Sequence, residues 1–219
     1  LDAAGTFSYA GLTTVSAGTL AYAASDQLTG AVTVSGGTFS VGAFTDTIGK
    51  LTVSGGAITG AGALTVNTTD SFDLQSGSVA VNLLGTAAAS KTTAGSVTLA
   101  GNNSFTGGFT LSLGTVLIGT DTALGANGVA LNGGTLASNA TVAAGGARTI
   151  ANALTIGGNV TLGNGTNTGE LTFAGTVDLG AATRTLTTDS AVTMGGVISN
   201  GALTKAGAGT LTLSGLNTY

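Results

Sequence analysis

The chain has 219 residues, with 39 glycines, nine acidic and five basic side chains, and no proline, cysteine, histidine or tryptophan. The lack of Cys and His excludes disulfides, thiolate and imidazole metal sites, and the Ser-His-Asp and Cys-His catalytic arrangements. A net charge of −4, with Lys50, Lys91, Arg148, Arg184 and Lys205 scattered along the chain, excludes the basic stripe of a nucleic-acid surface.

With 42% apolar residues the chain has enough to bury a core. No apolar run approaches the ~20 residues that cross a membrane as a helix, so no membrane insertion is expected of this segment. Leu1-Asp2 follows no charged leader, so a secretion signal would lie outside it.

In chain order, GTFSYAGLTTVSAGTL (5–20) places Gly18 before Thr-Leu. VTVSGGTF (32–39) brings Gly36-Gly37, and LTVSGGAI (51–58) repeats the phrase with Gly55-Gly56. FDLQSGSV (72–79) keeps it with Ser for one Gly. The phrase returns at Gly95, at Gly114, and at Gly133-Gly134 within VALNGGTL (129–136). The marks at Gly18, Gly37, Gly56, Gly77, Gly95, Gly114 and Gly134 therefore keep an almost even beat close to nineteen. LTIGGNV (154–160) and LTFAGTV (171–177) shift the phase, and Gly209 falls four such beats after Gly134.

Each phrase alternates apolar and polar residues before its glycines, the period of a strand with one face inward. The glycines are expected to turn the backbone through positive φ, and the next apolar residue starts a strand on the same core. Such a period predicts a solenoid, because one coil cannot cover its own apolar face while stacked coils can. The expected fold is all-β: a parallel β-helix of about 19 residues per coil, roughly 11 coils and ~50 Å long. It runs as one segment over 1–219, with related units at about 5–100 and 101–219. The residues singled out are the turn glycines Gly18, Gly36, Gly37, Gly55, Gly56, Gly114, Gly133, Gly134 and Gly209.

A chain without Pro suits strands that pair on both sides. Few charges suit coils stacked ~4.8 Å apart, where like charges in register repel. A β-sandwich would have no reason to keep a fixed period over seven marks.

Little catalytic chemistry remains. Asp70 and Asp73 in TTDSFDLQ stand at i and i+3 on a strand and point to opposite faces. Asp73 is expected outward, with Phe72 and Leu74 inward. Asp46 with Lys50, and Arg184 with Asp189, read as exposed pairs worth little. GNGTNTGE (163–170) reads as a corner, since a calcium nonapeptide needs an Asp that it lacks. Asn102, Asn103 and Asn217 are expected to bond locally in turns. Tyr9, Phe105 and Tyr219 are expected to pack in the core or at corners. Thr-x-Thr in TLTT (185–188) and TLTL (210–213) resembles an ice-binding row but does not recur at each mark.

A longer period lies above the first. Residues 5–20 align with 101–116 at a shift of 96, and 90–105 with 204–219 at a shift of 114. The first nine residues, LDAAGTFSY, match the last nine, LTLSGLNTY. LTKAGAGTLTLSGLNTY (203–219) closely resembles the passenger-associated repeat of bacterial autotransporters. YAGLTTVSAGTL (9–20) and FTGGFTLSLGTV (105–116) resemble the continuation of that repeat, while Asp2 and Phe7 depart from its pattern.

The resemblance implies a right-handed β-helical passenger of a Gram-negative cell-surface or extracellular protein. It implies an adhesin, stalk or fibre, in which the repeats assist folding after export. The expected function is structural, not enzymatic, with no cofactor and no metal. The expected partners are further copies stacked end to end, since open strand edges invite pairing, and host or environmental surface glycans. The rival readings are a glycan- or ice-binding module and a polysaccharide-degrading enzyme on the same fold.

Overall fold

A computed structural model describes residues 9–140 and 146–219; Asp2 and Phe7 lie outside them. The described residues form short β-strands and no helix, and every pairing between strands is parallel. The chain winds as a β-solenoid with three sides per coil.

On the first side Thr13, Val32, Leu51, Phe72, Ala89, Phe109, Val129, Leu154, Val177 and Ile198 stand in one column. Their numbers show a step that is shortest from Phe72 to Ala89 and longest from Val129 to Leu154 and from Leu154 to Val177. A bridge from Ser199 to Thr218 adds one more step. The coil is therefore nearer twenty than nineteen, over about ten turns. The longer coil from Leu154 to Val177 spends extra residues at a corner. At 163–170, Asn164 Oδ1 accepts the N–H groups of Thr166 and Asn167 at 3.0 and 2.6 Å, forming the expected turn.

The second side stacks Thr19–Ala21 on Thr38–Gly42 and continues through Ser96–Leu99, Thr115–Ile118, Thr135–Ser138 and Val160–Leu162. Leu51–Gly60, Ser71–Val79, Val177–Thr188 and Ile198–Ala206 run across both sides and join them into one 16-stranded sheet. The third side holds two separate ladders. One is Thr45–Thr47, Ala63–Val66 and Asn82–Gly85; the other is Arg148–Ile150, Leu171–Phe173, Val192–Met194 and Leu211–Leu213.

Alternation decides what each coil buries. Val32 and Val34 are fully buried around Thr33, Leu51 and Val53 around Thr52, and Phe72 and Leu74 around Asp73, as the phrase predicts. Ala89 sits between Phe72 and Phe109 in its column, so a small side chain separates two large ones. Phe105 is fully buried, its ring 5.4 Å from that of Phe72. Tyr9 and Tyr219, at the first and last described coils, are half exposed.

The register corrects the Gly beat in two places. Gly18, Gly37, Gly56 and Gly77 do stack, but Gly77 pairs with Val97, not with Gly95. Gly95, Gly114 and Gly134 form a second stack two residues out of phase with the first. That second column continues through Val160 and Leu186 to Lys205, which replaces Gly209 as its member three coils on. Gly209 occupies a different corner, against Ser190.

Candidate functional site: coil-to-coil bonds of the repeat segments

The nine singled-out glycines serve two needs. Gly18, Gly56, Gly114 and Gly134 have φ of +63, +65, +76 and +74°, the left-handed conformation expected of them. Gly36, Gly37, Gly55, Gly133 and Gly209 do not. At those positions a Cβ would press on a backbone carbonyl of the preceding coil: Ser16, Gly18, Ser35, Ser112 and Ser190 respectively. Close stacking, which the sequence reading did not consider, accounts for the second set.

Where the ladder is interrupted, polar side chains bridge the coils. Asn103 is almost fully buried on the third side, just past the end of the first ladder. Its Oδ1 accepts the N–H of Leu83, one coil earlier, at 2.8 Å, and its Nδ2 donates to Ala123 O, one coil later, at 2.7 Å. Asn217 Oδ1 accepts the N–H of Ile198, one coil earlier, at 2.9 Å. Asn102 N donates to Asn82 Oδ1 at 2.8 Å. Asn217 also makes the expected local turn bond, its N–H donating to Gly215 O at 3.0 Å, but the side chains of Asn103 and Asn217 bond across the coil gap, and that of Asn102 accepts from Thr122 Oγ1 one coil later at 3.3 Å.

Asp46 is also corrected. It is buried, its Oδ2 accepting the N–H groups of Gln27 at 3.1 Å and Leu28 at 2.9 Å. Lys50 pairs instead with Asp73, at 3.2 Å. Tyr22 lies buried beside Asp46. Burial first, and then the Asp46 carboxylate, push the Tyr22 hydroxyl far above its ordinary value and keep it protonated. Arg184 Nε donates to Leu179 O at 3.0 Å, and no ion pair joins Arg184 to Asp189 among the described residues.

Two lysines close corners. Lys91 points into the apolar column between Leu74 and Leu111 and is fully buried. Its ammonium donates to Thr93 O and Thr93 Oγ1, in space left open by Gly114. Burial lowers the Lys91 pKa, and Asp73 offsets part of that shift. Lys205 is exposed and donates to Ala206 O at 2.9 Å and Gly207 O at 2.7 Å. Sequence reasoning counted Lys91 only as a charge; its place in an apolar column, one residue after Ser90 in the strand Ala88–Lys91, was the available signal.

Two further acids, Asp178 and Asp121, also accept from backbone N–H groups. Asp178 accepts from Gly180 N–H at 2.7 Å and from Asn200 Nδ2 at 2.8 Å. Those two bonds, the N–H first, hold its carboxyl below the ordinary range. Asp121 Oδ1 accepts from Thr149 N–H at 3.1 Å, beside a shallow cleft also lined by Gly125, Ala151 and Asn152.

Architecture and bonding define a class: a β-solenoid repeat protein whose coils are tied by buried Asn and Asp side chains. The family model of the passenger-associated-transport-repeat matches residues 3–21, 90–118 and 203–219. The repeat and the solenoid together fit an autotransporter passenger repeat protein. Comparison with curated proteins and with solved structures returns no match.

Proposed function

We propose that this chain is an extracellular shaft of an autotransporter-like surface protein, serving as a stalk, adhesin or fibre that provides reach and display. The observation behind this reading is the parallel column carried from Thr13 to Ile198, with repeat segments at both ends and in the middle. No single side chain carries such a function; ladder continuity and inward apolar columns do. Enzymatic work forms no part of the proposal. Asp46, Asp121 and Asp178 spend acceptor oxygens on backbone N–H groups, which suits structure better than acid–base chemistry.

The shaft is further proposed to associate end to end. Unpaired edges of a parallel ladder invite pairing, and a heterologous contact of that kind is open-ended. Small-angle scattering of the purified chain tests both parts. A rod ~50 Å long that lengthens with concentration is expected. A compact particle would overturn the shaft, and a constant length up to high concentration would overturn the stacking.

One observation favours a second reading, a glycan- or ice-binding face. Thr14, Thr33, Thr52, Ser90, Thr110, Thr155 and Ser199 share one outward column, interrupted by Asp73, Ala130 and Asp178. Glycan-array binding or inhibition of ice recrystallisation, lost in Thr33→Val/Thr52→Val, would support it.

A further inference from the structure

The repeat falls on different sides of the shaft. In the 90–118 copy, Lys91 lies on the first side, Ser96–Leu99 on the second and Asn103 on the third. In the 203–219 copy, Lys205 lies on the second side, Leu211–Leu213 on the third and Asn217 on the first. The motif has advanced by one side.

Three of its contacts nevertheless recur at the sequence shift of 114. Each lysine donates to the carbonyl two residues on, Thr93 or Gly207. Each copy then runs one strand. Gly101 and Gly215 follow, each with a backbone carbonyl of the preceding coil where a Cβ would stand, Val81 or Gly196. Each asparagine finally takes an N–H from the preceding coil, Leu83 or Ile198.

We infer that the repeat is a portable clip: one strand bracketed by a lysine that closes corner carbonyls and an asparagine that closes an N–H of the coil before it, on whichever side it falls. The physical need is the same in both places. Leu83 and Ile198 lie in strands, and the chain one coil later still donates to their carbonyls, from Ser104 N at 3.0 Å and Thr218 N at 2.9 Å, while their own N–H groups are taken by the asparagine side chain. An open buried N–H is costly, and a side-chain oxygen at hydrogen-bond distance replaces the missing carbonyl. Asp46 does the same for Leu28 outside any repeat copy, so the N–H and not the repeat creates the demand. Both clips reach back to a coil earlier in the chain, so each can close before any later coil is laid down.

Amide hydrogen exchange on the 219-residue chain tests this. Asn103→Ala is expected to speed exchange at Leu83, and Asn217→Ala at Ile198, by about tenfold or more, with Leu64 and Val53 unchanged. Asn217→Asp, which keeps the acceptor as Asp46 does, is expected to leave Ile198 protected. If Asn103→Ala fails to fold, the Asn217 pair on the last described coil decides. Leu83 and Ile198 rates within twofold of the parent, or equal acceleration of all core amides in Asn217→Ala, would overturn the clip.

Discussion

Lys91 is the residue most at odds with its surroundings, an ammonium in a column otherwise filled by Val15, Val34, Val53, Leu74, Leu111, Leu131 and Ile156. Its hydrogen bonds to Thr93 offset part of the cost of burying the charge, and the lowered pKa means that a cost remains. The sign follows from linkage: with the folded pKa below the unfolded one, the unfolded chain holds more protons between the two, and stability rises with pH through that window. Denaturant unfolding followed upward in pH toward the ordinary lysine value of about 10.4 is expected to show this rise in the parent protein and its loss in Lys91→Met. Because a well-packed apolar side chain can replace a buried charge, Lys91→Met is expected to be as stable as the parent at neutral pH, or more stable by ~1–2 kcal/mol.

Among elements, the glycine corners separate two physical demands that the sequence merges. Gly18 has positive φ and nothing within 4 Å of a Cβ; Gly36 has an ordinary φ but Ser16 O in the way; Gly56 has both constraints. Gly18→Ala is expected to cost about 1–2 kcal/mol from the backbone conformation alone. Gly36→Ala should cost about 1–3 kcal/mol from the clash, and Gly56→Ala roughly the sum. Gly128→Ala, which meets only Ala153 O at 3.8 Å, is the control and should be near neutral. Chemical denaturation of the four variants measures the order; equal costs at all three corners would refute the division.

For the molecule as a whole, each coil touches only its neighbours, so stability should be nearly a sum along one axis. Phe109→Ala removes a ring in the middle of the shaft and should cost ~3–5 kcal/mol. Hydrogen exchange is expected to place that loss at the coils containing Ala89, Phe105, Phe109 and Val129, while Val32, Val34 and Val53 keep their protection. Uniform loss from Val15 to Ile198 would mean that the shaft unfolds as one cooperative unit.

The sequence alone determined the architecture. Alternating Val-Thr-Val and Leu-Thr-Val runs set the buried faces, a Gly beat near nineteen set the coil, and the 203–219 phrase pointed to the passenger repeat. These signals are local and periodic, and a solenoid is built by repeating local contacts. Only the tertiary structure decided the register: Gly77 on Val97, Lys205 in the column expected to hold Gly209, and the stretched coils from Val129 to Leu154 and on to Val177. It also decided that Asp46 lies inside, that Lys91 fills a corner, and that the side chains of Asn103 and Asn217 bond across coils. The reason is that a polar side chain's partner in a solenoid is a backbone group one coil away. Which group stands there depends on how many residues the intervening corners consume, and the period of the sequence does not carry that count.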